Sequence, residues 1–230
     1  MIKAVVFDLD GTLYPEADRN KLMFFEFLTN VKFFLAFKQI RKKIRILQSN
    51  QFLPSNRDEL FSLQVKMLSE HLNLDENRCA FLLNKIYYSQ SFSDKFKKLK
   101  PYLGVQDLIY WLKFKGIKLG VMSDFPILGR VKNLLGINDS FWDILYSSED
   151  TGYLKPHKAP FLKVIEDLNL SSNNILYVGN SYEYDILGAR NVSMKAAFFS
   201  KKNININYKG TIDFIFHDYK DLREYIRLNI

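Results

Sequence analysis

The sequence predicts an α/β fold: a parallel sheet with an all-helical block set in after its first strand. Three observations predict it. Beyond Gly104, short runs rich in Val, Ile and Phe alternate with helical runs, the pattern of strand–helix–strand units joined by right-handed crossovers. Residues 17 to about 92 instead carry apolar residues at mostly helical spacing, as in Leu60, Leu63, Val65, Met67, Leu68 and Leu72. A single strand, residues 2–7, stands ahead of that block.

Each element has its own reason. Residues 2–7 are short, rich in Val and Phe, and ended by Asp8, Asp10 and Gly11. Phe81, Leu82, Ile86 and Tyr87 continue the helical spacing, and Pro54-Ser55-Asn56 breaks it, with Asp58 near the next helix start. After Gly104 the expected order is helix 105–115, strand 117–122, helix 126–135, strand 143–147 and helix 158–168. Strand 175–178, a helix after Tyr182, strands 195–199 and 212–216 and a helix from about 218 complete it. The Asn/Lys-rich stretch 201–209 reads as a surface loop.

Composition narrows the function classes. Of 230 residues 47% are hydrophobic, enough for a sizeable core and against disorder. Cys79 is the single cysteine, so neither an internal disulfide nor a cysteine zinc cluster is available. The start, Met1-Ile2-Lys3 and then two acids, is unlike a signal peptide, which favours a cytoplasmic protein. The most apolar segment, Leu22 to Phe37, carries Glu26 and Lys32 and is too short for a membrane span. Phe24, Phe25, Phe27, Phe33, Phe34 and Phe37 therefore read as core or interface. The net charge of +8 is uneven: residues 15–100 hold 16 Lys and Arg against 9 Asp and Glu. Such a surplus attracts anions. Its densest run, Lys38, Arg41, Lys42, Lys43 and Arg45, reads first as a solvated helix face. The aromatics there sit at helical spacing rather than as stacking platforms, so a nucleic-acid partner is not expected.

In a parallel sheet of this kind ligands bind beyond the carboxyl ends of the strands. Asp8 and Asp10 follow the first strand, Ser123-Asp124 the second, and Lys155-Pro156 the third at a distance. Gly179-Asn180-Ser181, with Asp185 soon after, follows the fourth. The predicted edge thus gathers carboxylates, a hydroxyl, a cation and glycines. His157 reads as a loop residue, and His71 and His217 lack ligand-like neighbours.

In this order the motifs resemble those of the haloacid dehalogenase superfamily, on its phosphatase side. Asp8-Leu9-Asp10-Gly11-Thr12 is similar to the first motif, Ser123 to the second, Lys155-Pro156 to the third and GNSYEYD, residues 179–185, to the fourth. The resemblance spans most of residues 5–190. It implies a Rossmann-like core, residues 1–15 and 101–230, and a helical cap, residues 16–100. It also implies a magnesium-dependent phosphatase acting on a small phosphorylated metabolite, with Asp8 as the nucleophile that forms an aspartyl-phosphate. Asp10 would be general acid and base. Ser123 and the Asp124 backbone N–H would hold phosphate oxygens, and Lys155 would neutralise them. Asp8, the Asp10 carbonyl, Asn180 and Asp185 would ligate Mg2+. One departure stands out: the family usually has Asp where this chain has Asn180. That departure keeps open a non-catalytic, phosphate-binding or regulatory member. A haloacid dehalogenase, which has no use for Asp10 as acid and base, and a phosphomutase are further alternatives.

Overall fold

The computed structural model describes residues 1–49, 54–127, 129–201 and 210–230. Its centre is a six-stranded sheet of order β3-β2-β1-β4-β5-β6. The strands are β1 (Ala4–Phe7), β2 (Lys118–Ser123), β3 (Ile144–Ser147), β4 (Ile175–Gly179), β5 (Lys195–Phe199) and β6 (Phe214–Phe216). Every neighbouring pair is parallel. β1 lies between β2 and β4, with Val6 opposite Gly120 on one side and Tyr177 on the other. All four of its residues are buried. A strand covered on both faces must be apolar throughout, which is why β1 reads as a run rather than an alternation.

The pleat sends alternate residues to opposite faces. Val5 and Phe7 join Leu119, Val121, Leu176 and Val178 on one face. There they meet α7 (Val105–Phe114) and α11 (Tyr219–Arg227) through Leu108, Ile109, Leu112, Leu222 and Ile226. Ala4 and Val6 join Ile175 and Tyr177 on the other face, against Phe161, Val164 and Leu168 of α9 (Lys158–Leu168) and Ala189 of α10 (Leu187–Arg190).

Among the described residues six α-helices lie between β1 and α7: α1 (Glu16–Leu22), α2 (Phe24–Thr29), α3 (Val31–Ser49), α4 (Arg57–Leu72), α5 (Glu76–Leu83) and α6 (Gln90–Lys95). Asn56 caps α4 by accepting the Glu59 N–H at 3.0 Å, and Glu59 reaches back to the Ser55 N–H at 2.7 Å. These reciprocal bonds satisfy donors that a helix start leaves open. The Phe set of this block divides: Phe33 and Phe37 are buried, whereas Phe24, Phe25 and Phe27 are exposed.

Three expectations shift. The helix expected over 126–135 begins only at Arg130, as α8 (Arg130–Leu135), because Gly129 takes a left-handed conformation in the turn before it. The segment after Ser181 is a wide helical turn, Tyr182–Ile186, before it tightens into α10. The block 17–92 is interrupted at Met23, Asn30, Asn73 and Ser89 rather than helical throughout. Of the Asn/Lys-rich stretch, residues 202–209 lie outside the described residues.

The helical insertion meets the sheet domain along α3. Phe37, Arg41, Arg45 and Gln48 recur at steps of four, four and three, so they share one helix face. Gln48 donates to the Gly152 carbonyl at 2.8 Å and accepts the Leu154 N–H at 3.1 Å. Gly152 has φ +77°, and a Cβ there would lie 2.3 Å from the Pro54 carbonyl oxygen. Gly152→Ala should therefore lower the unfolding free energy by about 2–3 kcal/mol, combining left-handed strain with overpacking. Urea unfolding of the two proteins checks this.

Candidate active site

Asp8 emerges from β1 with its N–H bonded to the Val178 carbonyl at 2.8 Å, so the central strand pair aims its carboxylate beyond the sheet edge. Gly11 turns the chain just afterwards at φ +84°, with the Asn180 side chain packed where a Cβ would be. The turn brings Thr12 back, and its hydroxyl donates to Asp8 Oδ2 at 2.8 Å. The other oxygen, Oδ1, accepts from Lys155 Nζ at 2.7 Å. The same ammonium donates to Asp185 Oδ1 at 2.6 Å and to the Tyr177 hydroxyl at 3.2 Å. Asp185 Oδ2 is held by the Ser181 N–H at 3.0 Å. Asp8, Lys155 and Asp185 are all buried. Burial pushes the Asp8 carboxyl up, and Lys155 opposes that while Asp185 and Asp10 add to it. Burial also disfavours the Lys155 charge, but Asp185 and Asp8 outweigh it and hold the ammonium protonated.

Asp10 lies beside this triad with both oxygens engaged. Arg130 Nη2 donates to them at 2.7 and 2.8 Å. Arg19 of α1 reaches Oδ1 at 3.1 Å, and the Tyr14 hydroxyl donates to the same oxygen. Ser123 Oγ donates to Oδ2 at 3.1 Å. Burial alone would raise the Asp10 carboxyl, yet the Arg130 and Arg19 guanidiniums hold it well below the usual carboxylate range. Ser123 also accepts the Phe125 N–H at 3.2 Å, so it caps the following turn while facing the site.

The expected site residues Asp8, Asp10, Ser123, Lys155 and Asp185 thus come together. Asn180 joins them at one remove, through the 3.2 Å bond from the Thr12 hydroxyl. Asp124 follows Ser123 at the same edge, and its side chain is engaged in bonds of its own. Its Oδ1 accepts from the Lys155 N–H at 3.0 Å and from Ser148 Oγ at 2.6 Å, and its Oδ2 from Arg45 at 2.5 Å.

Among the described residues no three His, Cys, Asp or Glu side chains gather closely enough to hold a metal ion by themselves. The available donors are two carboxylates, Asp8 and Asp185, that already converge on one ammonium, with the Asn180 side-chain oxygen 3.2 Å from the Thr12 hydroxyl that bonds Asp8. Two carboxylates against one ammonium leave a net negative charge. Hard oxygens, few of them charged, suit Mg2+, which binds through one or two carboxylates and keeps several waters. The donor set fits that ion.

A family model for haloacid dehalogenase-like hydrolases matches residues 2–193. The chain belongs to this family. Over 212 residues this haloacid dehalogenase-like hydrolase is 28% identical to glyceraldehyde 3-phosphate phosphatase of Methanothermobacter thermautotrophicus, covering 85% of this chain and 84% of that one. It is 26% identical over 198 residues to pyrophosphatase PpaX of Halalkalibacterium halodurans, covering 85% and 82%. In fold it is similar to a 2-haloacid dehalogenase of Pseudomonas syringae pv. tomato, with a TM-score of 0.69, 22% identity and full coverage of both chains.

Within this haloacid dehalogenase-like hydrolase the cationic run of α3 needs correction. Lys38, Lys42 and Lys43 are exposed as a solvated face requires, but Arg41 is buried and Arg45 nearly so. Arg41 pairs with buried Glu149 and donates to the Asp124 carbonyl at 3.0 Å. Its guanidinium lies 4.3 Å from the Phe125 ring centroid. Arg45 bonds the Lys155 carbonyl at 2.7 Å in addition to Asp124. The helical spacing of the two arginines with Phe37 was the available signal. Arg130 carried a similar one, four residues before Leu134 on the apolar side of a short helix. Arg19 carried none; it reads as an ordinary charged helix residue. His157 is a loop residue as expected, with Nδ1 accepting the Ala159 N–H at 3.2 Å.

Removing one partner of a buried ion pair strands the other. Arg41→Met should lower the unfolding free energy by about 3–5 kcal/mol. Adding Glu149→Gln should recover part of that loss. Denaturant melts of the single and double variants measure both.

Proposed function

We propose that this hydrolase is a phosphatase that cleaves a small phosphorylated metabolite through an aspartyl-phosphate on Asp8. The observation that carries the reading is the buried convergence of Asp8, Lys155 and Asp185 beside Asp10 and Ser123. Phosphatase and pyrophosphatase relatives support it. Among the described residues no helix is long and apolar enough to cross a membrane, and the site's burial favours a small substrate over a large one.

In this reading residues 16–100 are a cap over the core. Asp8 Oδ attacks phosphorus, a new O–P bond forms, and the ester O–P bond breaks. Thr12 and Lys155 hold the two Asp8 oxygens, so the nucleophile enters with its orientation set. Lys155 and Ser123 face the charge that develops on the phosphoryl oxygens. Asp8, Asp185, the Asp10 carbonyl and Asn180 would hold Mg2+, which would supply charge neutralisation at the phosphoryl group. Asp10 gives a proton to the leaving oxygen and takes one from the water that hydrolyses the acyl phosphate. The arginine clamp keeps Asp10 ionised, which suits the second step as it stands. The first step requires Asp10 to carry a proton, which it takes up from solvent water when a partner withdraws. Arg19 belongs to the insertion and keeps 17% of its side chain exposed, so it is the partner with room to leave.

Phosphate release from p-nitrophenyl phosphate, glyceraldehyde 3-phosphate and pyrophosphate, with and without Mg2+, tests this reading. Magnesium-dependent release is expected, and Asp8→Asn should abolish it while the protein stays folded. No release from a broad panel of phosphate esters would leave a non-catalytic member, and chloride release from 2-chloropropionate would instead make it a dehalogenase. Asn180→Asp adds a carboxylate at the site and should tighten Mg2+ binding measured by calorimetry. An unchanged affinity would remove Asn180 from the ligand set.

A further inference from the structure

Arg130 is among the largest fully buried side chains of the protein. It lies at the start of α8, in a helix whose other buried residues are Val131, Leu134 and Leu135. Burying a guanidinium is expensive, and an apolar residue of similar size is often the more stable choice at such a place. What this charge does here is visible in its contacts. Nη2 spans both oxygens of Asp10. Nη1 donates to Ser123 Oγ and to the Pro126 carbonyl, each at 3.3 Å. The guanidinium carbon stands 4.5 Å from the Phe96 ring centroid and 5.3 Å from that of Phe92.

Phe92 and Phe96 belong to the segment that returns from the insertion to the sheet. One planar group therefore touches a residue after β1, a residue at the end of β2 and the returning chain. A guanidinium can do this because its donors are fixed in one plane while its faces stack on rings. A lysine in its place offers a point charge without the fork.

We infer that Arg130 is a positioning residue: it holds Asp10 and Ser123 in fixed relation to one another and to the aromatic segment returning from the insertion. This rests on the phosphatase reading and adds to it a residue that acts through Asp10. Arg19 touches the same carboxylate but is tied to Glu16 at 2.6 Å and to Asn20 at 3.2 Å on its own helix, and does not reach Ser123. Arg130 alone of the two links the acid–base group to the phosphate-facing hydroxyl.

The test compares wild type, Arg130→Met, Arg130→Lys, Asp10→Asn and the Arg130→Met/Asp10→Asn double variant. Glycerol phosphate has a poor leaving group and p-nitrophenyl phosphate a good one, so only the first leans on Asp10 for a proton. Arg130→Met should reduce kcat on glycerol phosphate by about tenfold or more beyond its effect on the aryl ester, within the 10²–10⁴-fold that acid–base help supplies. Arg130→Lys should restore part of the loss. In the double variant Arg130→Met should add little to Asp10→Asn, since residues acting as one unit are not additive. Equal loss on both esters, or full additivity with Asp10→Asn, overturns the inference and leaves Arg130 a packing residue. Should Arg130→Met fail to fold, the ester ratio of Arg130→Lys decides in the same sense. A wild-type protein inactive on both esters and on the broad panel of phosphate esters overturns the phosphatase reading and this inference with it; an active one with an unchanged ratio between poor and good leaving groups in the folded variants overturns this inference alone.

Discussion

Asp8 and Asp185 stand at the ends of adjacent strands and both are withdrawn from water, so without a cation between them each would resist the other's charge. Lys155 supplies that cation. Its Nζ lies within 2.7 Å of both carboxylates, and the group is deep enough that its own desolvation is costly. Removing the lysine would leave two buried carboxylates with no counter-charge, whereas removing one acid leaves a balanced buried pair. The consequence reaches beyond the triad. Lys155 arrives on a loop after β3, Asp8 after β1 and Asp185 after β4, so the ion cluster ties together loops from three strands. The parallel sheet places those loops on one edge, and the ammonium fixes their distances there.

The loop carrying Lys155 is itself fastened from two directions. Asp124, from the end of β2, accepts its N–H, and Arg45, from α3, donates to its carbonyl. The same Asp124 carboxylate is bonded by Arg45, which closes the arrangement across the boundary between insertion and sheet. Burial would raise the Asp124 carboxyl, but Arg45 and Arg41 hold it below its ordinary range, so it remains a charged partner for both. The geometry of the lysine therefore depends on the helical insertion as well as on its own loop. It also revises the meaning of the basic surplus in residues 15–100. Part of that positive charge is spent within the molecule, on Asp10, Asp124 and Glu149, and is not free to attract anions from solution.

Much of the site was legible because its chemistry is local in sequence. Asp8 and Asp10 follow an apolar run, Ser123 ends another, and Asp185 follows a third with glycine between. Strand ends can be read from hydrophobic runs, and the parallel topology then predicts that they share an edge. Arg19, Arg41, Arg45 and Arg130 were not legible in the same way. An arginine on a helix looks alike whether it faces water or a buried carboxylate, since a helix pattern shows which face is apolar but not what stands opposite. Three of these four have partners distant in the chain: Arg41 and Glu149 are separated by 108 positions, Arg45 and Asp124 by 79, and Arg130 and Asp10 by 120, whereas Arg19 and Asp10 are only nine apart. Asp124 shows the same limit from the acidic side. Its place after Ser123 was plain, while the commitment of its side chain to Arg45 and to the Lys155 backbone was not.

The sequence by itself determined the fold class, the place of the helical insertion and the identity of the acids, hydroxyl and lysine at the sheet edge. Those follow from periodicity and from short motifs, in which each residue's neighbours along the chain set its backbone and exposure. Only the tertiary structure decided that Asp10 is clamped by two arginines, that α3 shares its charges with the sheet domain, and that Thr12 rather than a direct contact links Asn180 to Asp8. Those outcomes depend on which side chains meet across packed elements. Pair distances of a few ångströms between residues far apart in sequence are set by the packing of the whole chain, and no local pattern encodes them.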